Sequence, residues 1–218
     1  DAGNENSKVI HITSSDATTK LSSDGAYLKY DLKSPIITPK DQDTLVSLYS
    51  AVIPYSFYNI RTGVNDKIYY RLVSDHQQRH LVLTQGSYTI QSLKSKIQDL
   101  FNAHGILPHT LTVGFDRVTM KFVFTISNPV FYFDFSGTTD GAHTALGFPE
   151  EHTGLNTGFT SMESELVPDV NGSTHSINIR TNLASKGCID SQTKSYSTIL
   201  GTMPIDVNFG GVVFFRPA

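Results

Sequence analysis

Between Thr89 and His104 apolar residues recur at helical spacing. Ile90, Leu93, Ile97, Leu100 and Phe101 fall on one stripe and Gln91, Lys94, Lys96, Gln98 and Asp99 on the other, the pattern of a helix laid on a core. Thr89 offers a hydroxyl to the free amides of the first turn, and His104-Gly105 suits a left-handed close. Burying five such side chains contributes on the order of 7 to 15 kcal/mol before chain entropy is subtracted, enough to dock a helix that is marginal alone. Elsewhere the pattern alternates. Leu111, Val113 and Phe115 alternate with Thr110, Thr112 and Gly114. After a turn at Asp116-Arg117, Val118, Met120, Phe122, Phe124 and Ile126 alternate with Thr119, Lys121, Val123 and Thr125. This predicts a hairpin with one apolar face and one Thr/Lys face.

Further strands are predicted at Val9–Thr13, Ala26–Leu32, Phe57–Ile60, Lys67–Val73, Leu81–Thr84, Phe131–Phe135, Ser176–Arg180, Lys194–Leu200 and Gly211–Arg216. Leu45–Ile53 is apolar at both alternations, so it reads as a central strand covered on each side and closed by Pro54. Gly63-Val64-Asn65-Asp66 reads as a turn and Asp75–His80 as an exposed polar loop. From Gly137 to Pro168 the pattern dissolves, apart from a short helical turn at Ala142–Leu146, and loops of that length carry function or contacts. These elements predict an all-β chain: a single jelly-roll β-sandwich of two antiparallel sheets with one amphipathic helix in a crossover. A βαβ fold would require several helices. With no Gly/Ser-rich or Pro-rich linker, residues 1–7 read as a flexible polar arm and 8–218 as one domain.

Composition narrows the function. The net charge is −3 and the 17 Lys and Arg residues are scattered, which argues against a dedicated nucleic-acid site. The single cysteine, Cys188, cannot form an intrachain disulfide or a zinc-thiolate cluster, and this predicts a reducing compartment. No apolar run reaches the roughly 18 residues of a membrane-spanning helix. The chain begins at Asp1 with no signal-peptide pattern, which reads as a trimmed or processed start.

Motifs for phosphate loops, zincins, nucleophile elbows and paired-cysteine metal sites are missing from the sequence. His143 and His152 flank Glu150 and Glu151, and with Asp140 they make an oxygen/nitrogen set of metal-ligating type. No i,i+2 or i,i+4 histidine spacing fixes a geometry, so a solvated loop is the preferred reading. Asp75, His76 and His80 surround a polar turn and read as surface. Cys188 follows Gly187 without a local base to activate it, so it reads as a small core side chain. Tyr27, Tyr30, Tyr49, Tyr55, Tyr58, Tyr69 and Tyr70 are candidates for an aromatic carbohydrate platform, with sheet packing as the plainer alternative. Asn171-Gly172-Ser173 matches the N-glycosylation triplet, which a reducing compartment leaves bare. No catalytic, cofactor-binding or metal residue is assigned, and the chain is expected not to be an enzyme.

The string Leu83-Thr84-Gln85-Gly86-Ser87-Tyr88-Thr89-Ile90 leads into the helix. It is followed by the Leu111–Thr125 hairpin, Ala145-Leu146-Gly147-Phe148, Ile177-Asn178-Ile179-Arg180-Thr181-Asn182-Leu183, and Ser197-Thr198-Ile199-Leu200-Gly201-Thr202-Met203-Pro204-Ile205. In this order the pieces resemble penton-type capsid proteins of virophages, polinton-like elements and related large DNA viruses. The likeness covers roughly Leu45 to Phe215, and the Gly137–Pro168 loop departs from it as an outward decoration or a neighbour contact. The resemblance implies a structural subunit that closes into a homopentamer at the five-fold vertices of an icosahedral shell, beside a double jelly-roll major capsid protein. It places the chain in the virion, assembled inside the host cell. A minor or cement capsid protein of the same fold, or a lectin-like receptor-binding head, is the alternative.

Overall fold

The structure, a computed structural model, describes residues 8–21, 27–37, 46–103, 109–154, 156–171, 174–182, 189–190, 195–196 and 198–216. In chain order the elements are β1 (Thr19–Lys20), β2 (Leu28–Lys29), β3 (Ala51–Pro54), β4 (Lys67–Leu72), β5 (Gln78–Val82) and α1 (Ile90–Ala103). There follow β6 (Leu111–Asp116), β7 (Lys121–Ile126), β8 (Phe131–Phe133), α2 (His143–Leu146), β9 (Ser161–Glu163) and β10 (Ser176–Arg180). The last are β11 (Ile189–Asp190), β12 (Ser195–Tyr196), β13 (Ile199–Pro204) and β14 (Val212–Phe215). Two sheets have three strands, ordered β5-β4-β8 and β6-β7-β9; β1–β2, β10–β13, β11–β12 and β3–β14 are two-stranded. The described chain is thus mostly β, in several antiparallel sheets, with α1 its one helix longer than a turn or so. No helix among the described residues is long and apolar enough to cross a membrane.

The chain forms two compact units. The first comprises Asp1–Ala51, Asn178–Thr202 and Phe214–Ala218, and the second Val52–Ile177 and Met203–Val213. All the buried apolar side chains among the described residues belong to the second unit. There the two three-stranded sheets meet face to face through aromatic rings: Phe124 of β7 lies 4.9 Å from Phe133 of β8, and Phe148 packs on both at 6.1 and 5.4 Å. Helix α1 crosses from β5 in one sheet to β6 in the other. Its stripe buries Leu93, Ile97 and Phe101, the last 5.4 Å from Tyr70 and 5.1 Å from Phe131, with Ile90 and Leu100 partly covered. Thr89 caps it as expected. Its Oγ1 accepts from Ser92 N at 3.2 Å while Ser92 Oγ accepts from Thr89 N at 2.9 Å, a reciprocal box with serine in the usual Glu/Gln role.

The polar flank of α1 has a second task. Gln98 Oε1 accepts from Val113 N at 3.0 Å; one turn on, Asn102 Oδ1 accepts from Leu111 N at 2.9 Å and its Nδ2 donates to Leu111 O at 3.0 Å. Side-chain amides thereby fill backbone groups along the outer side of β6. Asn59, also buried, ties the approach to α1. Its Oδ1 accepts from Tyr88 N at 2.8 Å and its Nδ2 donates to the carbonyls of Tyr88 and Val170.

Several boundaries differ from the sequence pattern. Val9–Thr13 is not a strand, and Val9, Ile10 and Ile12 are exposed. Leu45–Ile53 is not a covered central strand: in its described part only Ala51–Pro54 is β, and Val46, Tyr49 and Val52 face solvent. Pro54 belongs to this strand, as a two-stranded ribbon leaves an edge that needs no N–H. Val118 and Met120 lie in the hairpin turn, with Val118 90% exposed and Met120 at φ 58°. Asp116 Oδ1 accepts from Val118 N at 2.7 Å, and this local bond overrides the alternation. Half of the Asp75–His80 loop is strand β5, Phe57–Ile60 contributes only the Ile60–Gly86 bridge, and Lys194–Leu200 divides into β12 and β13. Gly137–Pro168 is more than a loop: its described part contains α2 and β9 and buries Ala142, Ala145, Leu146, Phe148 and Pro168. Gly147, at φ 79°, closes α2 where a Cβ would strike the Leu166 carbonyl. The Gly63–Asp66 turn, the Ala142–Leu146 helical turn and Ser176–Arg180 stand as read. Residues 1–7, His104-Gly105, Cys188 and Gly172-Ser173 lie outside the described residues.

Candidate functional site

Strand alternation turns Ile68 and Tyr70 into the core and leaves Tyr69 and Arg71 on the outer face of the β5-β4-β8 sheet. Register sets Arg71 opposite Gln78 on one side and Tyr132 on the other, and Asp134 follows β8 directly. The Arg71 Nε donates to Asp134 Oδ2, and its Nη1 donates to His76 O at 2.6 Å. Ser136 fills the other carboxylate oxygen, donating from N at 3.1 Å and from Oγ at 2.5 Å, while Gln78 Nε2 donates to Asp134 O at 3.2 Å. Around this pair opens a shallow concavity of about 520 Å³, lined by Arg71, His76, Tyr132, Asp134, Ser136, Thr153, Gly154 and Asn156. Gly154 has no Cβ to run into the Tyr132 ring.

Burial pushes the Asp134 carboxyl up, but the bonds from Ser136 and Arg71 more than reverse this, so it lies below its ordinary value. At neutral pH it is an ionised carboxylate with both oxygens filled. The arrangement is an electrostatic tie between β4 and the end of β8, with no proton to exchange.

A second tie is made where β4 begins. Lys67 Nζ lies 2.6 Å from Asp140 Oδ2, and Tyr69 donates its hydroxyl to Asp140 Oδ1 at 2.7 Å. These two bonds hold the Asp140 carboxyl below its usual range, and the same salt bridge raises Lys67. Burial, then the bond to Asp140, raises Tyr69.

The remaining sequence candidates do not converge. His152 Nδ1 pairs with Glu165 Oε1 at 2.5 Å and its ring lies 4.7 Å from Phe148; its Nε2 and His143 Nδ1 are buried with no hydrogen-bond partner among the described residues. Glu150 and Glu151 are exposed, and among the described residues no three His, Cys, Asp or Glu side chains gather in a metal-binding group. Asp75 is gripped by Arg79 at 2.9 and 2.6 Å, which keeps its carboxyl well below the usual range. His76 meets the Tyr132 hydroxyl at 3.2 Å, and His80 packs 5.5 Å from Tyr69.

The tyrosines scatter as well. Tyr55 and Tyr70 are buried, Tyr30 donates to Thr13 O at 2.7 Å, and Tyr27 and Tyr49 are exposed. Tyr58 joins an exposed aromatic pair, stacked on Phe209 at 6.0 Å and 21°. Sequence reasoning missed Phe209, Asn59 and the Arg71–Asp134–Ser136 tie. The one visible signal was Asp134, an acid inside the aromatic run Phe131-Tyr132-Phe133-Asp134-Phe135. No protein-family model matches the chain, and no curated protein matches it either.

Proposed function

We propose that this chain is a structural subunit of a viral protein shell: a single jelly-roll capsomer of the penton type that closes into homopentamers beside a double jelly-roll major capsid protein. The first unit carries this reading. Among those of its residues whose burial is described, no apolar side chain is buried, while Val9, Ile10, Ile12, Leu21, Tyr27, Leu32, Ile36, Ile37, Val46, Tyr49 and Phe214 are exposed. A chain that completes a core in one unit and leaves so many apolar side chains bare in the other is built to be covered by further chains. The polar groups of the second unit support it, since Asp134, Asp140 and Asp75 are each held in an internal pair that ties strands or turns together.

Sedimentation velocity over a wide concentration range tests the proposal, and a five-subunit species is the expected result. A chain that stays monomeric at every concentration, and also when mixed with a double jelly-roll shell protein, overturns it. A glycan-binding head is the second reading, favoured by the exposed Tyr58–Phe209 pair, whose flat faces suit a sugar ring. Retention on a glycan array that is lost with Tyr58→Ala would favour it.

A further inference from the structure

The hollow over the Arg71–Asp134 tie is unlike the rest of the second unit. That unit is filled with phenylalanine, yet among the described residues no aliphatic or phenylalanine side chain lines the hollow. Four stretches of chain meet there. Strand β4 gives Arg71, the turn after it His76, β8 and the residues that follow it Tyr132, Asp134 and Ser136, and the returning segment Thr153 and Asn156. Backbone bonds fix the returning segment: Phe135 N donates to His152 O at 2.8 Å and Gly154 N to Phe133 O at 3.0 Å. The volume of about 520 Å³ falls within the roughly 300 to 1,000 Å³ of small-molecule sites.

Strain gathers at the same place. Among the described residues three that are not glycine have a left-handed backbone, and two of them, His76 at φ 55° and Asn156 at φ 60°, line this hollow. Histidine and asparagine tolerate that conformation better than most residues, but it persists only where the surroundings hold it. At His76 they do: Arg71 Nη1 donates to its carbonyl at 2.6 Å, and its Nδ1 meets the Tyr132 hydroxyl at 3.2 Å. The result is a set of polar groups left over. Arg71 Nη2, His76 Nε2, Thr153 Oγ1 and the Asn156 amide have no partner among the described residues, while both Asp134 oxygens are filled.

We propose that this hollow is a binding site for a neutral polyhydroxyl ligand, a sugar unit, held by Arg71, His76, Thr153 and Asn156. The groups on offer identify the class. Arg71 and Asp134 cancel one another and no other lining residue carries a fixed charge, so an anion meets the carboxylate and a cation meets the guanidinium. An apolar molecule finds no apolar side chain to cover. A ring with adjacent hydroxyls finds a planar guanidinium that donates, an amide that donates and accepts, and a hydroxyl that does both. The inference stands whether or not the chain forms a shell, and it shares no residue with the Tyr58–Phe209 pair.

Saturation-transfer difference NMR on the full chain tests this, because it reads the sugar's own protons and serves a monomer and an assembly alike. The probes are galactose, glucose, mannose and N-acetylglucosamine, with inorganic phosphate as the charged competitor. A shallow, wet site predicts a Kd on the order of 1 mM for at least one of the sugars. Thr153→Val with Asn156→Gly removes two exposed polar groups, and glycine keeps the left-handed backbone, so the thermal midpoint should hold while affinity falls about tenfold or more. Asn156→Gly alone should weaken binding several-fold, which keeps the test open where the double variant fails to fold. Tyr58→Ala should leave binding unchanged. Silence from all four sugars overturns the inference, and so does binding that survives the double variant, is lost with Tyr58→Ala, or is displaced by phosphate at equal concentration.

Discussion

Strands β6 and β5 border the same aromatic core, yet one is closed and the other open. On β6 both backbone groups of Leu111 and the N–H of Val113 are taken by two amides spaced one turn apart on α1. On β5 the corresponding groups of His80 and Val82 face outward with no partner among the described residues. The strands themselves do not account for the difference, since each alternates and each pairs with one neighbour. Which edge is available is decided by the flank of a helix whose other face is occupied with the core. Control over association can therefore lie in residues that look like ordinary helix surface.

The largest way to break this contrast is to undock the helix. Phe101→Ala removes a fully buried ring packed on Tyr70 and Phe131, and should cost about 3 to 5 kcal/mol in urea unfolding, with the Leu111 and Val113 amides losing protection. A loss under about 1 kcal/mol would show that α1 is not what closes β6.

Loosening the sheet that carries the open edge comes next. Arg71→Leu strands a buried carboxylate at Asp134 and should cost about 2 to 4 kcal/mol at neutral pH. The sign of the pH dependence follows from the lowered Asp134 value. A carboxyl depressed in the folded state stabilises above its ordinary value near 4 and loses that contribution as pH falls through the folded value. Urea midpoints should therefore drop in the unsubstituted chain below about pH 4, and drop less in Arg71→Leu.

A smaller change addresses the comparison itself. Gln98→Ala with Asn102→Ala bares the β6 edge at a cost of about 1 to 2 kcal/mol, because water replaces the lost amides, and light scattering should report new association. The smallest is Met120→Gly in the turn between β6 and β7. It relieves the left-handed backbone at φ 58° and should raise stability by about 1 kcal/mol without altering either edge.

What the sequence made legible was local. Leu93, Ile97 and Phe101 announce a helix, and Leu111, Val113, Phe122 and Phe124 announce a hairpin, because each pattern repeats within a few residues. Pairings between distant residues leave no such trace: Arg71 and Asp134 are 63 positions apart, and only the oddity of an acid among aromatics hinted at the tie. The turn at Val118 was misread because a single Asx bond outweighs alternation. The Gly137–Pro168 segment looked loose because its buried residues, from Ala142 to Phe148, are contributed singly between glycines and bends. The open edge could not be read at all, since it is defined by which strand is missing.

On the proposed shell-subunit reading, this chain is covered by its own copies. An electron cryomicroscopy map of the assembled shell would decide it. The expected map has five copies around each vertex, with Ile10, Ile37 and Tyr49 buried against a neighbouring copy. A map that shows the chain as isolated single copies, with those side chains still facing solvent, would contradict it.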